Sequence, residues 1–506
     1  MKPYTKTDIR NIYGYLIDSA HKNNKKHKTE AALKDIETAA RWAYSFNLFY
    51  RDDNAEDLLG KIAKNNFGNI HIEDSLPDKY VLFDSFCLDN RGLTQQYMRA
   101  MMQMKKKILY ICTSDVTNGG NDILKELEGY EGAELLLFSF TNLTRLEKAV
   151  KILDVIKRFA PSRIFLHLTP WDTVALMVCH SISGACIYNI NLTDHAYWMG
   201  ASIIDYNLEF RPYGMTVSLE KRQLQKKQLL ALPYYPITPI QKNFKGLPEL
   251  PDDAVKVFTG GAFYKMLGKN DIFFKLMESI LAIAPNVYIL VAGFNQNSLF
   301  DEKCSKIKNK ERVIQIGIRN DIDEVFEHTD IYLGTYPMCG GLMSQYAAKH
   351  RKPIIAYHDN GDVMNAVEEM VNHYQNNFRT YTNIADMIVY ARRLVEDKEF
   401  RMNEGELLQK GLMSADSFVD AFANIIESNR EYWKWDTDEI DYESFFYRYL
   451  DLENANGFAA TAMLVHQQKF SLLKVVRKYR KQMIEKMILE AGKLMKRRIS
   501  HGIRCI

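Results

Sequence analysis

From Tyr80 onwards, short apolar runs alternate with amphipathic stretches. YVLFD, KKILYIC, AELLLFSF, SRIFLHL, GACIYNI and SIIDYNL have the length and the β-branched or aromatic content of buried strands. RGLTQQYMRAMM, NDILKELEG, RLEKAVKILDVIKRFA and WDTVALMVCHSI lie between them as helices. The alternation breaks from Arg211 to Asp253, and five prolines between Pro233 and Pro251 predict an inter-domain crossing there. A second alternating run follows, with VKVFTGG, NVYILVAGF, RVIQIG, DIYLGTYP and KPIIAYH as strands. Its helices are DIFFKLMESILAIA, DIDEVFEH, GGLMSQYAAKH and DVMNAVEEMV. Both flanks, residues 1–75 and the chain after about 382, are helix-prone and show no strand pattern.

Strands that alternate with helices build βαβ units, and so a parallel sheet covered on both faces. Two such halves predict an α/β fold: two Rossmann-like domains facing across a cleft, with an added helical N-terminal segment and a helical C-terminal tail. The expected division is 1–75 for the helical segment, 76–240 and 241–425 for the two domains, and 426–506 for the tail. Doubly wound sheets bind ligands at the carboxyl ends of their strands, so the residues just after each strand matter most.

Composition narrows the class. The 506 residues are 47% apolar and 25% charged, the balance of a globular protein with two to four domains. Net charge is only +3, but it is unevenly placed. Lys469–Ile506 holds twelve basic residues against Glu485 and Glu490, a net of +10 that leaves −7 for the rest. A globally basic nucleic-acid binder is excluded by that balance. Seven scattered cysteines without a C-x-x-C predict neither a disulfide framework nor a zinc site, and fit a reducing cytoplasm. MKPYTKTDIRNIYGY lacks the apolar core of a secretory signal, and the charge-poor stretch Thr173–Thr193 is too polar to span a bilayer.

Three strand-end motifs carry candidate chemistry. Gly340-Gly341-Leu342-Met343-Ser344 follows a strand and opens a helix, where close backbone approach and a helix start suit a pyrophosphate. The same residues also suit a plain turn. Thr259-Gly260-Gly261-Ala262-Phe263-Tyr264-Lys265 closes the first strand of the second half, and its lysine can reach a phosphate as a point charge. Lys269 is its nearby competitor. Asn191-Leu192-Thr193-Asp194-His195 ends a first-half strand, and an imidazole beside a carboxylate suits a general base as well as a helix cap. Arg91, Gly92, Trp171, Asp172, Trp198 and Arg211 sit at further strand ends as candidate cleft or acceptor contacts. Neither G-x-G-x-x-G nor a P-loop occurs, which counts against nicotinamide dehydrogenases and P-loop NTPases. Asp321-Ile322-Asp323 reads as a helix cap rather than a metal site.

Through FDSFCLDNRGL, LTPWD, NLTDHAYWMG, TGGAFYKMLGKND and LGTYPMCGGLMSQYAA, residues 80 to about 425 resemble a bacterial glycosyltransferase of the GT-B architecture, of the surface-polysaccharide type. A more distant likeness is to O-GlcNAc transferases and adhesin N-glucosyltransferases. The resemblance implies an acceptor domain first and a nucleotide-sugar domain second. It implies that Lys265, in a "YK" turn, contacts the donor phosphates, and that Pro337-Met338-Cys339-Gly340-Gly341 matches the family's "P-L-C-N-G" diphosphate loop. His195 precedes Ile204-Asp205-Tyr206 with the N-glucosyltransferase spacing, ten positions to the aspartate. Two features depart from the pattern. Gln345 and its neighbours supply no carboxylate for the donor ribose, and Met338 and Tyr346 stand where retaining enzymes carry an E-x7-E pair.

The expected activity is metal-independent, inverting transfer of a hexosyl or N-acetylhexosaminyl group from a nucleoside diphosphate-sugar, a UDP-sugar by preference, to a glycan, lipid-linked or protein acceptor. No cofactor beyond that co-substrate is expected. A nucleotide-sugar epimerase of the same architecture and a non-catalytic scaffold are the rival readings. Leu472, Val476, Tyr479, Met483 and Met487 recur at helical spacing among basic residues, so the tail reads as a helix packed on the first domain or lying on an anionic membrane. The second reading places the protein in the cytoplasm, peripheral to the inner face of the membrane.

Overall fold

The structure is a computed structural model that describes residues 4–89, 93–114, 121–139, 141–240, 244–374, 378–455 and 459–468. The strands of the first half are β1 (Ile70–His71), β2 (Leu76–Asp84), β3 (Lys107–Cys112), β4 (Ala133–Leu137), β5 (Pro161–His167), β6 (Ile182–Ser183), β7 (Cys186–Ile190), β8 (Tyr206–Glu209) and β9 (Leu229–Ala231). Those of the second half are β10 (Val255–Gly260), β11 (Val287–Ala292), β12 (Val313–Gly317), β13 (Ile331–Leu333) and β14 (Ile354–Ile355).

Two parallel sheets result, ordered β4-β3-β2-β5-β7-β8-β9 and β12-β11-β10-β13-β14, while β1 and β6 form a small separate pair. Parallel strands covered by helices on both faces carry no polar face, which is why Tyr80–Asp84 of β2 are buried without alternation. Edge strand β4 is only half covered. Each sheet winds outward in both directions from its first long strand, β2 or β10, so each has a crevice at that strand's carboxyl end. These two crevices face one another across the cleft.

Helices Lys6–Lys25, Thr29–Phe46 and Asp53–Phe67 share one apolar core with helix Thr173–Ser181 of the first half. Trp42, fully buried, donates its Nε1–H to the carbonyl of Ile9 at 3.0 Å and fixes the first two helices together. After the second sheet the chain returns. Phe418 and Phe422, on helix Ala415–Ser428, meet Tyr97 of the first half edge-on at 5.2 and 5.4 Å. Helix Tyr442–Ala455 then buries Phe446 and Leu450 in the core that holds the N-terminal helices. Tyr4 and Thr461 hydrogen-bond at 2.6 Å, joining the two ends of the described chain.

The crossing read between the halves contains real elements. Pro212–Glu220 is a helix and β9 is the edge strand of the first sheet. Proline at its first position starts that helix, but Tyr213–Ser218 are buried on every side, so no amphipathic period marks it in the sequence. The amphipathic stretch beginning at Lys469, read as a membrane or packing helix, lies outside the described residues.

Candidate active site

The turn after β7 carries Asp194 and His195, and the fold holds it from beneath. Arg222 is fully buried and donates through Nη2 to the carbonyls of Ala196 at 2.6 Å and Asp194 at 2.8 Å. Carbonyl dipoles turned on one guanidinium fix the path of the turn far more tightly than van der Waals contact would. The N-terminal helices supply the other half of the clamp. Asn47 Oδ1 accepts from Tyr197 N at 3.1 Å. Buried Glu56 accepts from Gly200 N and Ala201 N at 3.1 Å and from Ser202 N at 2.7 Å. Gly200 has φ +116°, and a Cβ there would sit 2.8 Å from Leu176 Cδ2, so the turn accepts only glycine.

Asp194 is buried and grips Arg211 at two points, Oδ2–Nε 2.5 Å and Oδ1–Nη2 3.1 Å. Its Oδ1 also lies 3.2 Å from His195 Nδ1. Burial alone would raise the carboxyl pKa, but the Arg211 guanidinium and the imidazole outweigh it and hold the group down at about 2. A carboxylate so held stays ionised and is a poor base. Its geometry instead orients the imidazole through Nδ1, and the His195 side chain keeps 25% of its surface exposed. The Tyr449 ring, on the returning helix, stands 6.4 Å from the imidazole. Arg211 also donates Nη1–H to Met364 O at 2.7 Å, a direct tie between the two halves.

Across the cleft, the turn after β10 folds into a short 3-10 helix, Phe263–Met266, that presents Lys265 half-buried. Gly293 at the end of β11 lets this turn settle, because any Cβ there would lie 2.2 Å from Gly261 O. The Lys265 carbonyl accepts from Met338 N at 3.5 Å, tying the lysine turn to the loop after β13. Its ammonium has no hydrogen-bond or ion-pair partner among the described residues. Burial pushes the Cys339 thiol up to about 11, against the pull of Arg211 and Lys265, so two cations from opposite halves bear on one point of the cleft. Directly after Cys339, Gly340 caps helix Gly341–Lys349. The N–H groups of Gly341, Leu342 and Met343 belong to the unsatisfied first turn.

Not every predicted residue faces this space. Ser344 is fully buried, and its Oγ donates back to Gly340 O at 3.1 Å, so its hydroxyl belongs to the helix start and not to a ligand. Lys269 is already paired with Asp359 at 3.2 Å. Trp171 carries the Arg41 guanidinium over its ring at 4.4 Å and meets Tyr44 edge-on at 5.4 Å, both from the second N-terminal helix. Asp172 caps helix Thr173–Ser181 and accepts from Thr113 and Ser85. Trp198 is buried on Arg222 at 5.0 Å. Trp171 is partly buried in its contacts and Trp198 almost wholly so. Arg91 and Gly92 lie outside the described residues. Gln345, in place of a ribose carboxylate, spends its amide on the carbonyls of Tyr234 at 2.9 Å and Met370 at 3.1 Å. Among the described residues no cluster of His, Cys, Asp and Glu could hold a metal ion.

Two parallel α/β sheets whose crevices face across a cleft are the arrangement of the GT-B fold. No protein-family model and no curated protein matches the chain. Solved structures do match. A mutant of the O-GlcNAc transferase of Thermobaculum terrenum is similar at TM-score 0.51 and 12% identity, over 89% of this chain and 85% of that one. A glycosyltransferase from Rickettsia africae matches at TM-score 0.50 and 12% identity, over 70% of this chain and all of the other. At such identity the likeness is one of fold, and it spans both sheets.

Proposed function

We propose that this chain is a glycosyltransferase that moves a sugar from a nucleoside diphosphate-sugar, a UDP-sugar by preference, to a hydroxyl-bearing acceptor. The observation that supports it is the pairing across the cleft of the Asp194–His195 dyad with Lys265 and the Gly340–Met343 helix start. The diphosphate rests on the Gly341, Leu342 and Met343 N–H groups and on Lys265, which stabilise the charge that grows as the sugar bond breaks. Those groups take the part a metal plays elsewhere, so the reaction proceeds without one. His195 Nε2 accepts the acceptor's proton, Asp194 and Arg211 hold the imidazole in place, and attack from the face opposite the leaving group inverts the sugar centre. The acceptor is a glycan, a lipid-linked glycan or a protein, and the first half receives its reacting hydroxyl. In this reading the tail from Lys469 lies on an anionic cytoplasmic membrane surface.

Mass spectrometry of released nucleotide from UDP-, GDP- and dTDP-sugars, in EDTA, tests the proposal. Turnover of a UDP-sugar supports it, and no release from any donor refutes it. Gln345 favours one rival, a non-catalytic scaffold, because its amide is committed to the backbone where a ribose carboxylate would stand. Calorimetry that finds no nucleotide-sugar binding decides for that rival. Recovery of the donor with its sugar epimerised and its nucleotide still attached decides for an epimerase.

A further inference from the structure

Behind the Tyr336–Pro337 turn lies a recess of 490 Å³ that the mechanism above does not use. Its floor is formed by second-half loops, and its roof is helix Tyr442–Ala455 on the returning chain. The volume lies in the range of small-molecule sites, about 300–1,000 Å³. It also backs on to the dyad. Tyr213 and Met364 line it, and Met364 is the residue whose carbonyl Arg211 holds.

The lining excludes one ligand class. Arg448 pairs with Asp362 and lies 3.9 Å from Asp359, and Lys269 also binds Asp359, so both cations are already engaged. Asp441 and Asp451 complete a set of four carboxylates against two cations, and the recess is net negative. A second phosphate would be repelled here. The remaining groups are of another kind. Tyr447, 50% exposed, offers ring surface, Tyr336 and Phe445 line the wall as buried rings, and Asn360 adds an amide beside Ser444, whose hydroxyl donates to Asp441 and can still accept. Acceptors and donors interleaved with aromatic rings match a sugar, whose hydroxyls both donate and accept and whose C–H faces are apolar.

We infer that this recess is a subsite for a neutral glycan, the portion of the acceptor remote from its reacting hydroxyl. The recess's role toward the acceptor rests on the transferase reading; its binding of sugar does not. Saturation-transfer NMR on the full chain, with maltotriose, chitotriose and trigalacturonate as probes, tests it. The expected result is transfer to a neutral trisaccharide that saturating UDP leaves unchanged and that exceeds transfer to trigalacturonate. Ser444→Trp, which fills the recess, abolishes the signal, and Tyr447→Ala, at an exposed position, weakens it at least about five-fold. The inference is overturned by no transfer to either neutral probe, by an equal signal from trigalacturonate, by displacement with UDP, or by a signal intact in both variants. UDP calorimetry on the same samples separates the two ideas. UDP binding without sugar binding removes the subsite alone, and sugar binding without UDP binding removes the donor reading alone.

Discussion

Asp194 shows how one buried carboxylate can serve position and electrostatics together. It is held ionised by Arg211 and turns His195 by its ring nitrogen. Asp194→Asn keeps the shape and loses the charge, so kcat should fall by about 10²-fold, in the range of lost general-base assistance. It also strands the Arg211 guanidinium, and thermal unfolding should register a cost of about 3–5 kcal/mol, that of an orphaned buried charge. An unchanged kcat would remove His195 from the chemistry. Glu209, beneath the same turn, carries a different signature. Burial raises its pKa to about 7, although Ser218 and Asn191 donate to it and Arg222 lies near. A carboxyl raised from 4.5 to about 7 is protonated in both states at low pH, but only the unfolded chain ionises it freely between those values. Stability therefore drains away as pH climbs from about 4.5 to 7, by roughly 3 kcal/mol in all. Urea titrations from pH 4 to 8 should show that loss in the wild type and a flatter profile in Glu209→Gln; equal slopes would contradict the assignment.

At the scale of elements, the N-terminal helices are part of the site and not an appendage. Glu56→Ala leaves the buried Gly200 and Ala201 N–H groups unsatisfied, each at about 1–3 kcal/mol before relaxation, and releases that of exposed Ser202. The expected outcome is a melting temperature lowered by several degrees and a kcat reduced about ten-fold, with the donor KM unchanged, because the second half does not depend on Glu56. A kcat unchanged in the folded variant would reduce these helices to scaffolding. None of this was legible in the sequence. Asp194-His195, the Lys265 turn and Gly340-Gly341 could be read because their residues are contiguous and follow apolar strands. Glu56 meets its partners 144 to 146 positions away, and Arg222 meets its carbonyls 26 to 28 positions back, so local pattern holds no trace of either. Arg222 also sits among lysines and glutamines, where a charged linker was the natural reading. Trp171 and Trp198 stay open in the sequence, because aromatic side chains at such positions can meet a sugar but more often pack.

For the whole molecule, the sheets came through in the sequence because parallel strands buried on both faces are continuous apolar runs. The way the halves are joined did not. Arg211 crosses to Met364, and helices after residue 414 return to brace the first half, all through contacts distant in sequence. The uneven charge makes a prediction at this scale too. A chain truncated before Lys469 should lose co-sedimentation with vesicles rich in anionic lipid, to which each basic residue adds about 1 kcal/mol near the surface. Undiminished co-sedimentation would clear the tail of that role. The central claim is that Lys265 and the Gly340 helix start hold a donor diphosphate while His195 serves the acceptor. Calorimetric titration of UDP into the wild type, Lys265→Ala and His195→Ala tests it most directly. Binding is expected for the wild type, at least about ten-fold weaker binding for Lys265→Ala, and wild-type affinity for His195→Ala. Absence of binding to the wild type, or equal affinity in Lys265→Ala, would contradict it.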